Sequence, residues 1–136
     1  MFEQELTRPS WNCIHFIDVM QSRAMYELQF PSEILILDAY VGDVKNASDL
    51  FSVVSRAMKF PAYFGNNWDA LEECLRDMEW LPAKGYVLLL HGASEFWKTA
   101  TRVAGSFLET WLFCAQEWAT SDVAFHLVFE MENTER

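Results

Sequence analysis

Three runs of almost wholly apolar residues, at positions 34–38, 86–90 and 123–129, constrain the fold more than any other feature of the sequence. Runs of this length between turn-forming residues are typical of strands that are covered on both faces. Segments with helical periodicity lie between them. Strands that alternate with helices predict a parallel sheet with right-handed crossovers. We therefore expect an α/β fold, with a small three-stranded parallel sheet packed against helices.

The segments between these runs carry apolar residues at helical spacing. We expect helices over residues 48–58 and 66–79, a short helical turn over residues 94–97, and a longer helix that continues to about residue 118. Small polar side chains accept hydrogen bonds from the first free N–H groups of a helix. On this basis the expected N-cap residues are Ser48, Asn66 and Ser94.

The length of 136 residues suits one domain with its own hydrophobic core. We divide it into an N-terminal extension, residues 1–32, which packs on the same domain, and a main domain, residues 33–136. Within the extension, residues 13–17 can add an edge strand and residues 19–28 a short helix. The polar tail from residue 132 onward is expected to be frayed.

The charge of the chain narrows the class of partner. Twenty Asp and Glu against ten Lys and Arg give a net charge of −10. Such a charge repels phosphate backbones and anionic lipid surfaces, so we expect no direct binding of nucleic acid or membranes and a cationic protein as partner. The first residues lack the basic start and apolar run of a signal peptide, and no stretch has the length of a membrane span. We expect a cytoplasmic protein.

The cysteines and histidines give no sign of a cofactor or metal site. The three cysteines are odd in number and form no C-x-x-C pair, which indicates reduced thiols: Cys13, Cys74 and Cys114. The three histidines lie in or beside predicted strands without metal-ligand spacing: His15, His91 and His126. There is no Gly-rich phosphate loop and no G-x-S-x-G motif, so we expect no cofactor, no metal and no enzymatic activity.

Residues 63–77 are the most informative segment. Charged residues recur there at i, i+3, i+4, i+7 and i+8, which predicts that one helical face carries Asp69, Glu72, Glu73, Arg76 and Asp77. A face of this kind can simply be solvated. The residues just before this face favour a binding surface. Tyr63 and Phe64 place aromatic anchors beside charge, a combination that is common at interfaces, and Asn66 and Asn67 add hydrogen-bonding side chains.

A catalytic interpretation of the same segment is weaker. Asp69 and Glu73 stand four residues apart and could form a general acid and base. Such a pair needs a pocket that tunes its affinity for protons, and an exposed convex helix is not expected to provide one.

The order of residues 63–75, Tyr-Phe-Gly-Asn-Asn-Trp-Asp-Ala-Leu-Glu-Glu-Cys-Leu, resembles the signature of barstar-like proteins. The likeness extends over about residues 34–129, where strand, helix, Phe-Pro, signature, strand, long helix and final strand follow the family's order. It implies a small parallel sheet packed against helices. It also implies an intracellular inhibitor, or immunity protein, that binds a basic ribonuclease toxin.

The resemblance further implies roles for single residues. Tyr63 matches the aromatic residue that packs against the nuclease, Asn67 the asparagine at the start of the helix, and Asp69 the first interface aspartate. Glu73 stands where the family has the aspartate that occupies the phosphate-binding site of the nuclease, so the carboxylate is kept on an arm one methylene longer. Carboxylates would then stand in for RNA phosphates and occlude the active site.

Three positions depart from the family pattern. Glu72 replaces a tryptophan, Asn66 a glutamate and Arg76 a threonine, which puts a positive charge near the centre of the expected contact. For a further acidic contact from the last helix, Glu109 and Glu117 are candidates. The departures leave open a binding module for a cationic partner that is not a ribonuclease. In either case the expected partner-binding residues are Tyr63, Phe64, Asn66, Asn67, Asp69, Glu72, Glu73 and Arg76.

Overall fold

The computed structural model of the protein describes residues 5–27 and 30–132. Within these ranges the strands are β1 (Ile14–Asp18), β2 (Ile34–Tyr40), β3 (Gly85–His91) and β4 (Ala124–Met131). The helices are α1 (Val19–Glu27), α2 (Ala47–Ala57), α3 (Trp68–Asp77), α4 (Ala93–Thr99) and α5 (Thr101–Ala119). The last residue of the helix predicted over 19–28 and the predicted frayed tail beyond residue 132 lie outside the described residues.

All four strands are parallel and form one sheet in the order β1-β4-β3-β2. The predicted α/β class and parallel sheet are confirmed, but the prediction of three strands is wrong. The fourth strand is β1, which pairs with β4 from Ile14 opposite Leu127 to Asp18 opposite Met131. As an edge strand it alternates buried and more exposed side chains, and it lacks the continuous apolar run that marks the central strands.

Both faces of the sheet are buried. On one face, side chains of β3 and β4 such as Leu88 and Leu127 pack against α2 to α5. On the other face, the intervening side chains of the same strands pack against the N-terminal part of the chain, with Leu6, Ile17 and Met25 among the buried residues. Each fully buried large apolar side chain contributes roughly 1.5–3 kcal/mol. The N-terminal part is therefore the cover of the second face.

The helices α2 and α4 do not begin at the serines that the sequence suggested. Asn46, not Ser48, caps α2, and its side-chain oxygen accepts the N–H of Asp49 at 2.9 Å. Gly92 occupies the N-cap position of α4. The hydroxyl of Ser94 instead accepts the backbone N–H that follows β4 at 2.6 Å. The predictions of Ser48 and Ser94 as N-caps are therefore wrong, because each helix begins about two residues earlier than the sequence indicated.

A polar cluster joins α1 to the carboxyl ends of three strands. The hydroxyl of Tyr26 donates to Asp38 of β2 at 2.8 Å. His91 of β3 lies between two carboxylates, with Nε2 3.2 Å from Asp38 and Nδ1 3.0 Å from Glu130 of β4. Hydrogen bonds as well as apolar burial thus hold α1 on the sheet.

Two buried histidines lie beneath the N-terminal part. Nε2 of His15 is 2.9 Å from Nδ1 of His126, and Nε2 of His126 is 2.7 Å from the carbonyl oxygen of Arg8. Because a carbonyl only accepts, His126 donates from Nε2 and accepts at Nδ1. Burial, and then the charge of His126, lowers the pKa of His15 to about 4, and burial also lowers the pKa of His126. Both rings are neutral at pH 7.

We predict that the protein loses stability as the pH falls from about 6.5 toward 4. Histidines of the unfolded chain take up protons near pH 6.5, whereas His15 and His126 have lowered pKa values in the folded state. The unfolded chain therefore binds more protons in this window. Each such histidine lowers the free energy of unfolding by at most about 1.4 kcal/mol per pH unit, which is the limit for a difference of one bound proton. Urea unfolding at pH 7, 6 and 5 measures the slope.

The double variant His15→Gln with His126→Gln is the control, because glutamine keeps hydrogen-bonding groups but takes up no proton in this range. A shallower slope in this variant is expected. Equal slopes in the two proteins would contradict the prediction.

Candidate functional site

The 63–67 loop, residues 63 to 67, leads into α3 through a left-handed turn. Asn66 has φ 54°, a conformation that asparagine tolerates better than most residues. Asn67 is extended, and its side-chain oxygen accepts the N–H of Ala70 at 2.8 Å. The N-cap of α3 is therefore Asn67, and the prediction of Asn66 was wrong. The side-chain nitrogen of Asn67 also donates to the carbonyl of Gly65 at 3.3 Å, which fixes the loop on the helix.

The two aromatic residues of the loop have different environments. Tyr63 is 71% exposed. Phe64 is half-buried, and its ring lies edge-on to the rings of Phe51 and Phe60 at centroid distances of 6.2 and 5.0 Å. Phe64 thus fastens the loop to the core, whereas Tyr63 offers its ring to a partner.

Three acidic residues of α3 form what we call the carboxylate row: Asp69, Glu73 and Asp77. They stand four residues apart on the exposed side of the helix. Their carboxylates make no hydrogen bond or ion pair within residues 5–27 and 30–132. Like charges at this spacing destabilise a helix by roughly 0.2–0.5 kcal/mol per pair. A bound cation would relieve that repulsion.

Arg76 and Glu72 differ from the residues of the carboxylate row because they form ion pairs. Nε of Arg76 lies 3.0 Å from Glu117 of α5, and Nη1 lies 3.4 Å from Glu72. The guanidinium carbon is 5.9 Å from the ring centre of Phe113. These side chains are about 40% exposed, so each pair contributes roughly 0.2–1 kcal/mol. The face predicted from the sequence is thus divided into an unpaired row and a paired network.

The same network shows that the two acidic candidates of α5 differ in their contacts with α3. Glu117 is brought to the surface of α3 by its ion pair with Arg76. Glu109 is exposed and makes no hydrogen bond or ion pair with α3 in the described part of the chain.

A groove of about 230 Å³ lies between the 63–67 loop and α3. The residues that line it include Tyr63, Gly65, Glu73 and Asp77. The sequence did not predict a pocket here, and it did not place Asp77 among the binding residues. The helical spacing from Glu73 to Asp77 placed both on one face of α3, but it carried no signal for the groove, which depends on the position of the 63–67 loop. Two carboxylates beside an aromatic ring suit a guanidinium or ammonium group.

The groups around the groove are not poised for catalysis. Desolvation, and then the charge of Asp77, raises the pKa of the Tyr63 phenol, so it is a neutral hydrogen-bond donor at pH 7. Cys74 lies under the groove, where burial and then the charges of Asp77 and Glu73 raise the pKa of its thiol. A thiol that is harder to ionise is a poor nucleophile.

α5 supports α3 from behind. The indole N–H of Trp118 donates to the carbonyl of Leu75 at 2.7 Å, and the thiol of Cys114 lies 3.8 Å from the carbonyl of Glu72. Burial, and then the charge of Glu72, raises the pKa of Cys114 to about 12, so this contact holds a neutral thiol. The carboxylate row therefore stands on a helix that is held at its buried side, which preorganises it for binding.

Three further features of the described residues concern metal binding, membrane spans and disulfide bonds. No group of three or more His, Cys, Asp or Glu there is arranged to hold a metal ion. The helices in that part of the chain are too short or too polar to cross a membrane. The thiols of Cys13, Cys74 and Cys114 are buried and unpaired.

We predict that Asn67→Ala destabilises the protein by about 1 kcal/mol, because the N–H of Ala70 loses its side-chain acceptor. Urea unfolding measures this change. Asn66→Gly is the matched control, since it keeps the cap and glycine adopts a positive φ without strain. A larger loss in the Asn66 variant than in the Asn67 variant would show that the cap is misassigned.

A comparison with models of protein families gives a match that spans most of the strands and helices described above. The model of the family described as Barstar (barnase inhibitor) matches residues 35–130. The matched range contains the 63–67 loop, α3 and α5, together with nearly all of β2, β3 and β4, and it leaves out β1 and α1. A search of curated proteins found no match. Because the family model covers well over half of the chain and includes the whole candidate site, this chain belongs to the barstar family.

Proposed function

We propose that this protein is an immunity protein that binds a basic ribonuclease toxin in the cytoplasm and occludes its active site with α3. The observation that carries the proposal is the placement of unpaired carboxylates, Glu73 and Asp77, beside the exposed ring of Tyr63 on a supported helix. The description of the family as barnase inhibitor supports the class of partner.

The mechanism is mimicry of the substrate. A ribonuclease holds RNA phosphates with Arg, Lys and His side chains, and carboxylates accept charge-assisted hydrogen bonds from the same groups. Successive members of the carboxylate row are one helical turn apart, a rise of about 5.4 Å in an α-helix. Because the row has no partner in the described part of the free protein, no ion pair has to break before it binds. The net charge of −10 also speeds encounter with a basic protein, an effect for which barnase and barstar are the general example.

The proposed interface has a centre and a rim. Asp69, Glu73 and Tyr63 form the centre, to which we add Asp77. Arg76 and Glu72 form the rim on the α5 side, together with Glu117. Phe64, Asn66 and Asn67 shape the loop and hold it in place. A rim of this kind excludes water from the central contacts, which are then stronger.

A second candidate function is the binding of a cationic protein that is not a ribonuclease. The ion pairs of Arg76 with Glu72 and Glu117 favour it, since they place a positive charge beside the carboxylate row. A partner that carries an acidic group at this point would gain a contact that a purely basic surface lacks.

We propose no catalytic role for the site and one domain for the chain. The row is exposed and the nearby thiol of Cys74 is buried, so neither provides an activated group. Residues 1–32 act in this proposal as an N-terminal extension of the 33–136 domain. Its described part adds β1 at the edge of the sheet and covers the second face with α1 and Leu6, while α3 binds the partner.

The test first screens basic ribonucleases, beginning with any that is encoded beside the gene of this protein, for inhibition by the wild-type chain. We expect Glu73→Gln or Asp69→Asn to weaken inhibition, because each removes a charge from a contact that is buried in the complex and strands the opposing cation. The expected cost is roughly 2–5 kcal/mol in binding. Titration calorimetry and rescue of growth on co-expression measure it.

Glu109→Gln is the matched control, because this exposed carboxylate on α5 has no bond to α3 in the described part of the chain. Urea unfolding checks that all three variants fold. Only small changes are expected, because the carboxylates they change make no hydrogen bond or ion pair among the described residues, while Asp69→Asn loses a charge that the helix dipole favours and Glu73→Gln relieves a repulsion. Unchanged inhibition by both α3 variants would refute the proposal. Capture of a partner without nuclease activity, with binding still lost in the α3 variants, would favour the second candidate.

A further inference from the structure

The free edge of β2 borders a groove that the proposed inhibitor surface does not use. β2 is the outermost strand, with β3 on one side only. The groove has a volume of about 420 Å³ and lies between this edge and α2. Residues 36–40 form one wall, and Val53, Arg56 and Lys59 line the other.

The backbone hydrogen bonds show which peptide groups face away from the sheet. Val41 N–H donates to the carbonyl of His91, and Lys84 N–H donates to the carbonyl of Glu33, both at 2.9 Å. In a parallel strand the N–H and C=O of one residue point to the same side, and the side alternates with each residue. Odd-numbered residues of β2 therefore face β3. The groups that face outward belong to residues 36, 38 and 40, and they form no hydrogen bond within the described ranges.

The charge of this groove is opposite to that of the whole chain. Arg56 and Lys59 are exposed and form no ion pair among the described residues. The only acid in the lining is Asp38, whose carboxylate is held by Tyr26 at 2.8 Å and His91 at 3.2 Å. Two free cations thus stand beside an open strand edge, on a protein with a net charge of −10.

We propose that the edge of β2 binds an extended acidic segment of another protein, which adds to the sheet as a fifth strand. The outward N–H and C=O groups of residues 36, 38 and 40 would supply the main-chain hydrogen bonds. Arg56 and Lys59 would pair with carboxylates on alternate positions of the segment. Strand addition of this kind takes its affinity from the backbone and its specificity from the side chains that flank the edge.

The test adds short peptides to the isotopically labelled full-length chain. One peptide alternates valine with glutamate over seven residues, and its matched control alternates valine with lysine. We expect the acidic peptide to slow hydrogen exchange of the amides of Ile36, Asp38 and Tyr40 at least tenfold. The amides of Leu37 and Ala39, which face β3, should not change, and the lysine peptide should have no effect.

A third peptide distinguishes strand addition from attraction by charge alone. Its sequence is that of the acidic peptide, but the backbone nitrogens that would donate hydrogen bonds to β2 carry methyl groups. It therefore keeps the carboxylates and loses these N–H donors. We expect it not to bind. Equal binding of the methylated and unmethylated acidic peptides would overturn the proposal.

Charge-reversing variants test the two cations. Arg56→Glu and Lys59→Glu should each weaken binding of the acidic peptide at least tenfold. Arg102→Glu, at an exposed position on α5 outside the groove, should not. Inhibition of the ribonuclease should be the same in all three variants, so this proposal and the proposed function can fail separately. Hydrogen exchange at residues 36, 38 and 40 is also measured without peptide at several protein concentrations. If it slows as the protein concentration rises, a second copy of the chain binds this edge, and the proposal is overturned.

Discussion

The burial of both faces of β3 and β4 is the constraint on which the rest of the structure depends. Six consecutive residues of each strand are buried, so neither face of the sheet centre can be left to water. Helices α2 to α5 cover one face, and the N-terminal part covers the other. Two histidines buried on this side form a hydrogen bond with each other, and His126 also donates to the carbonyl of Arg8.

In α3, the residues that stabilise the fold and the residues proposed to bind a partner lie on opposite sides of the helix. Its buried side, with Leu71 and Leu75, belongs to the core and is tied to α5. Its exposed side carries the carboxylate row, whose members repel each other slightly; of the three, Asp69 lies in the first turn, where the helix dipole favours a negative charge. A surface of this kind is expected where stability is given up for a contact with another molecule. Arg76 offsets part of the repulsion through Glu72 and Glu117 without neutralising the row.

The central fold and the position of the acidic helix could be predicted because they follow from local patterns. Continuous apolar runs marked β2, β3 and β4, and the 3.6-residue period placed α3 within two residues of its ends. The helix caps could not be predicted, because Asn66 and Asn67 are chemically alike and only backbone conformation tells them apart. The sequence indicated β1 only as a segment that can add an edge strand. A short edge strand has no continuous apolar run, and β1 is defined by its pairing with β4.

The sequence by itself determined the class of fold, the negative charge of the molecule and the presence of a carboxylate on each turn of one helical face. These properties depend on residue type and on spacing along the chain. Only the tertiary structure decided which charges are free. Arg76 is paired because α5 brings Glu117 to it, and Asp77 lines a groove because the 63–67 loop folds back beside it. Such contacts join residues that are distant in sequence, and no local period encodes them.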